Sequence, residues 1–135
     1  MCYILFLLFI FCACNNKQEE KAQDDLDAAR EFIRAALDGK FDQARNYLLP
    51  DSINIQYMDA AERSYNRSDN ETKNGYKAAS INIHKVEPLN DSSTIVVFSN
   101  SYKNDHDSLK VIKWKEQWLV DLKFLYLHSV DSVGQ

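Results

Sequence analysis

The chain has 135 residues, 45% of them hydrophobic and 27% charged, a composition that excludes a fully disordered protein and suits one folded domain. Its net charge of −4 and the absence of a dense Lys/Arg run exclude a nucleic-acid footprint, which needs a surface of one positive sign. The three cysteines all fall within the first fourteen residues, so the remainder offers neither an internal disulfide nor thiolate metal ligands.

The first element is an apolar run from Ile4 to Phe11, extending at most from Cys2 to Ala13. A helix that crosses a bilayer takes about 20 residues, whereas a secretion signal needs an apolar core of about 7 to 15. Cys12-Ala13-Cys14 ends the run, and Asn15 to Glu20 is abruptly polar. Phe11-Cys12-Ala13-Cys14 resembles the lipobox of bacterial lipoproteins, with Phe11 and Cys12 departing from the usual leucine and small residue and no Lys or Arg in Met1-Cys2-Tyr3. The resemblance implies a signal peptide over residues 1–13, cleavage before Cys14, and diacylglycerol and fatty acid such as palmitate on Cys14. Two or three acyl chains hold a protein stably at a membrane, where one holds it marginally. Residues 14–24 then form a polar tether whose ten residues after Cys14 reach at most about 35 Å. The implied location is the bacterial cell envelope, at the outer membrane, facing the periplasm or the cell surface.

Next come three helices. Leu26, Ala29, Ile33, Ala36 and Leu37 recur at helical spacing, with Phe32 widening the stripe, Asp24 or Asp25 available as cap and Gly39 as terminator. A second helix is predicted over Phe41 to Leu49, stopped by Pro50, and a third over Ile55 to Tyr65. Residues 66 to 75 are strongly polar and read as a loop or frayed turn. From Ala78 the period changes to that of strands, at Ser80 to Val86, Thr94 to Tyr102, Ser108 to Trp114 and Trp118 to Phe124. The short polar connections between them favour consecutive antiparallel hairpins. A two-residue loop at Lys115-Glu116 sets Val111 opposite Val120, Ile112 opposite Leu119, Lys113 opposite Trp118, Leu109 opposite Leu122 and Lys110 opposite Asp121. In that register Trp118, Val120, Leu122 and Phe124 form the stripe that receives the helices, and Asp121 points away from them. Lys113 is then the charged residue on the inward side of the third strand.

The expected class is α+β, with N-terminal helices on a curved, four-stranded antiparallel sheet over residues 25–125 and a tail at 126–135. Ala29 to Leu37, Gly39-Lys40-Phe41-Asp42-Gln43-Ala44 and Lys113-Trp114-Lys115-Glu116-Gln117-Trp118-Leu119-Val120 resemble small secreted members of the cystatin-like or nuclear transport factor 2-like group, many of them lipoproteins, although Glu116-Gln117 lacks the usual hairpin glycine. The resemblance implies a cone-shaped cavity between helices and sheet. Relatives of that broad fold such as ketosteroid isomerase and limonene-epoxide hydrolase work inside such a cavity, but fold alone carries no activity.

No catalytic, metal or cofactor motif stands out. His84, His106 and His128 lie far apart in sequence without ligand spacing, and the three glycines form no phosphate loop. Tyr47, Tyr57, Tyr65 and Tyr76 fit either an aromatic cavity or a core with hydroxyls at its rim. The candidate pocket lining is Tyr47, Tyr57, Phe98 and Trp118. The expected role is a membrane-anchored, non-catalytic binding or accessory domain for a small apolar ligand or an envelope protein, without nucleic acid. Its alternatives are an isomerase- or hydrolase-type enzyme in the cavity, and a component of an envelope complex that docks through Ile95, Val97, Ile112 and Leu119. Asp51-Ser52-Ile53, Asp107-Ser108-Leu109 and Asp131-Ser132-Val133 also resemble the O-glycosylation acceptor of certain Gram-negative envelope proteins, with Ser52 and Ser108 expected in turns.

Overall fold

The computed structural model describes residues 21–125; the segment expected to be a signal peptide, Cys14, most of the expected tether, the tail, His128 and Ser132 lie outside the described residues. In order come α1 (Asp25–Leu37), α2 (Phe41–Arg45), α3 (Ser52–Arg67), α4 (Asn70–Ala78), β1 (Ile81–Asn90), β2 (Ser93–Asn100), β3 (Asp107–Trp114) and β4 (Gln117–Asp121). The helices pack against one antiparallel sheet of order β1-β2-β3-β4, the α+β arrangement read from the sequence. None of the described helices is long and apolar enough to cross a membrane.

Asp24 caps α1 by accepting from the backbone N–H of Asp27. Its end is a Schellman turn: Gly39 at φ +73° and Lys40 donate backwards to Ala36 and Ala35. A β-carbon at Gly39 would stand 2.6 Å from the Tyr65 ring, so both backbone angle and space require glycine. The buried face of α1, with Ala28, Ala29, Phe32 and Ile33, lies on a stripe made by Val96, Leu109, Val111, Val120 and Leu122. Trp118 contributes only as a half-buried neighbour of that stripe, and Phe124 is half-buried.

The β3–β4 register is the one expected from Lys110↔Asp121 to Lys113↔Trp118. Lys115 and Glu116 both adopt positive φ, the requirement of a two-residue primed turn, without the glycine that usually supplies it. β4 ends at Asp121 rather than continuing to Phe124, and residues 123–125 are helical.

Three further expectations are corrected. α2 stops at Arg45 because the following residues are used elsewhere: Tyr47 to Leu49 run parallel to β4, with Val120 donating to Tyr47 and Leu49 donating to Val120. That segment covers the free edge of β4, whose backbone groups would otherwise stay unpaired. The polar stretch after residue 66 contains α4, capped by Asp69 and lacking a buried apolar face. The Arg34 side chain of α1 supplies its tertiary anchor by donating to Tyr76, Lys77 and Ala79 carbonyls while ion-paired with Asp38. β1 passes through Pro88 to Asn90, well beyond Val86, which an edge strand with a register shift directly after Pro88 tolerates.

Candidate functional site

The position of α3 creates the site. Pro50 and the Asp51 cap start this helix beside the end of β4, earlier than the apolar pattern alone predicts. Asn54, wholly buried, donates to Asp51 and Asp121 and accepts from the backbone N–H of Leu122 at 2.7 Å. Lys123 closes the cluster, 2.5 Å from Asp51 and 3.3 Å from Asp121. Asp121, expected on the far side of the sheet beside Lys110, is thus met by α3 coming round the β4 edge. Further along, Arg45 of α2 grips Asp59, at 2.9 Å, and Glu62 of α3. These hydrogen bonds raise the pKa of the guanidinium, the one it donates to Glu62 most.

The Asp51 carboxyl is drawn from 3.8 to about 2, chiefly by the Asn54 backbone N–H and then by the Lys123 ammonium. A carboxyl depressed in the folded state contributes stability above its unfolded value, and that contribution disappears as pH falls from near 3.8 through about 2. Acid unfolding followed by circular dichroism is therefore expected to steepen across this window in the wild type and to flatten in Asp51→Asn; identical acid profiles would contradict the assignment.

Held at these points, α3 leaves a cavity of about 690 Å³ between its inner face, α1 and the β2–β3 end of the sheet. Phe32, Ile33, Met58, Phe98, Leu109 and Leu122 form its buried apolar lining, Ala36, Ala61, Tyr65 and Tyr76 its half-buried walls, and Ser64, Lys103, Asp105 and Asp107 its polar mouth. The volume falls within the range of about 300–1,000 Å³ occupied by small-molecule sites. Of the four residues singled out as pocket lining, Phe98 lies in this cavity. Tyr47 and Trp118 line a separate hollow of about 80 Å³ beside Ala22 and Asn46, and Tyr57 packs against the core. The cavity tyrosines are instead Tyr65 and Tyr76.

Asp107 is the residue that the strand assignment missed. β3 begins one position earlier than expected, so Asp107 shares the inward parity of Leu109 and Val111 and stands opposite Phe98. Lys113 is therefore not the sole charge on that face; it lies exposed at the far end, 5.7 Å over the Trp118 ring. Desolvation first, and then the neighbouring Asp105 charge, push the Asp107 carboxyl above its ordinary pKa.

In comparisons with protein-family models, curated proteins and solved structures, no match to the chain is found. The chemistry of the site must therefore be read from its own side chains. General acid–base work needs a carboxylate within hydrogen-bond reach of its partner. Among the described residues, no hydrogen bond joins Asp105 or Asp107 to a tyrosine or histidine. His84 and His106 stack on each other at 4.0 Å, with His84 hydrogen-bonded to Ser99, and the described residues contain no group of three or more metal-ligating side chains.

The Tyr65 hydroxyl is enclosed and has no hydrogen-bond partner among the described residues, and burial raises its pKa, with the Asp38 charge adding to the shift. An unsatisfied buried hydroxyl costs about 1–3 kcal/mol. Tyr65→Phe keeps the ring against Phe41 and Gly39, so it is expected to leave the unfolding free energy unchanged or raise it by about 1 kcal/mol in urea melts. A loss of more than that amount would mean that the hydroxyl has a stabilising partner.

The outer face of the sheet differs from the expected docking patch. Ile95 lies between Glu87 and Lys110 in the register and is buried, as is Leu119; Val97 and Ile112 are half-buried. Long charged side chains on adjacent strands cover apolar neighbours with their stems. Ser52 is exposed on the first turn of α3, whereas Ser108 lies within β3 and not in a turn.

Proposed function

We propose that the chain is a membrane-anchored envelope lipoprotein whose cystatin-like or nuclear transport factor 2-like domain binds a small, largely apolar molecule without transforming it. The observation that carries the binding role is the cavity of about 690 Å³, with its apolar floor and its charged groups at the mouth. The anchor rests on the short apolar leader and on Cys14. Attachment by acyl chains would keep the cavity within a tether's length of the bilayer, where apolar molecules concentrate. An isomerase- or hydrolase-type enzyme is the second reading, favoured by the Asp107 carboxylate at the cavity mouth; it requires a bound compound to be recovered altered.

Two measurements test the two halves of the proposal. The purified full chain is expected to take up the uncharged dye phenylnaphthylamine saturably, in one-to-one ratio, with enhanced and blue-shifted emission; linear, non-saturating emission would contradict a built site. In cells, Cys14→Ser is expected to move the protein out of the membrane fraction and block normal processing. Unchanged fractionation would remove the anchor from the account while leaving the cavity.

A further inference from the structure

We propose that the cavity selects an amphiphile with a cationic head, its ammonium seated between Asp105 and Asp107 and its apolar body lying against Ile33, Met58 and Leu109. This rests on the binding role proposed above and specifies the class of molecule bound.

Charge complementarity carries the inference. Asp107 reaches the mouth because the strand alternation that buries Leu109 and Val111 turns its side chain to the same side. Asp105, two residues earlier, lines the same opening. Neither carboxylate has an ion-pair partner among the described residues, although ion pairs are frequent elsewhere in the domain. Lys103 also lines the opening, but its ammonium sits over the Tyr102 ring at 5.3 Å. Two carboxylates and one ammonium leave the mouth with a net charge of −1, and the two carboxylates repel each other beside a wall of low polarity.

Both carboxylates are exposed at the opening, and a cation arriving there is attracted by each. The Asp107 pKa is pushed up, by desolvation first and then by the Asp105 charge. The Tyr76 ring, held edge-on against Tyr102 at 5.1 Å, adds an aromatic surface at the opening, the second component of ammonium recognition. A fatty acid or another anionic amphiphile would instead bring a third negative charge to this point.

The test uses the full chain and three decyl probes of matched tail length below their micellar concentrations: decyltrimethylammonium, decyl maltoside and decyl sulfate. Each displaces phenylnaphthylamine in a competition titration. The cation is expected to bind at least about tenfold more tightly than the neutral probe, with the advantage shrinking as salt rises, and the anion is expected to bind weakest. Asp105→Asn combined with Asp107→Asn should bring the ratio of decyltrimethylammonium to decyl maltoside affinity close to one, and a ratio kept at the wild-type value would overturn the inference. Equal binding of all three probes, or tightest binding of decyl sulfate, would overturn the inference and leave the apolar binding role standing. Saturable dye uptake with no displacement by any decyl probe would likewise overturn it. Absence of dye uptake itself would overturn the binding role and the inference together.

Discussion

Ala61→Trp is expected to lower the affinity for phenylnaphthylamine by at least about tenfold while the domain stays folded. Ala61 sits on the cavity side of α3, half-buried, with space in front of it where a core alanine would have neighbours. An indole added to a well-packed interior forces displacements costing about 1–3 kcal/mol, but here it has a cavity to enter. Ligand and side chain then compete for the same volume, and an apolar ligand deprived of its burial loses about 25 cal/mol for each Å² that it can no longer bury. Ala36→Phe, on the opposite wall contributed by α1, fills the same space from a different element. Both variants should lose dye binding and keep their urea midpoints within the wild-type range or above it. A fully folded Ala61→Trp that binds dye as the wild type does would place the dye elsewhere.

Asn54→Ala is expected to lower the unfolding free energy by about 3 kcal/mol, the largest stability effect of any polar substitution discussed. The Asn54 amide donates to two carboxylates and accepts from Leu122, and the residue is entirely buried. Removing it strands the Leu122 N–H in the interior and takes from Asp121 the amide that bonds it, each at a cost of about 1–3 kcal/mol. Small domains have only about 5–15 kcal/mol in total. Because these bonds fix the start of α3 to the end of β4, partial loss of dye binding is expected in parallel. A shift below about 1 kcal/mol in urea unfolding would show that α3 is held chiefly by Arg45 and its acidic partners.

The strands, their order and the last hairpin's register were legible because alternation along each strand and the two-residue turn act together: only one register keeps Val111 with Val120 and Lys110 with Asp121. The first helix was equally legible, with an apolar stripe, an aspartate cap and a terminating glycine. α4 was hidden because its tertiary support, an arginine on α1 grasping carbonyls more than forty residues away and a ring contact of Tyr76 with Tyr102, leaves no periodic trace. The early end of α2 was hidden for a similar reason, since the parallel bridge of Leu48 to Val120 is a long-range contact.

The site was legible only in outline. Aromatic residues in the front half pointed to a cavity or a core, and both exist, yet the tyrosines divided between them according to helix orientation: Tyr65 and Tyr76 went to the cavity, Tyr47 to the core. Asp107 was concealed by a one-residue error in where a strand begins. Extending the parity of Leu109 and Val111 back by one more step would have turned it inward. The Asn54 cluster could not be inferred, because nothing local announces that an asparagine in the first turn of a helix will meet the end of the last strand.

Methyl-detected NMR of the full chain titrated with phenylnaphthylamine shows whether the space under α3 is where an apolar molecule binds. Saturable shifts are expected at Ile33, Met58 and Leu109, on the floor of the cavity, and none at Val97 or Ile112 on the outer sheet. Shifts confined to the outer sheet, with the floor residues unmoved, would place the dye outside the cavity and end the binding role proposed for it.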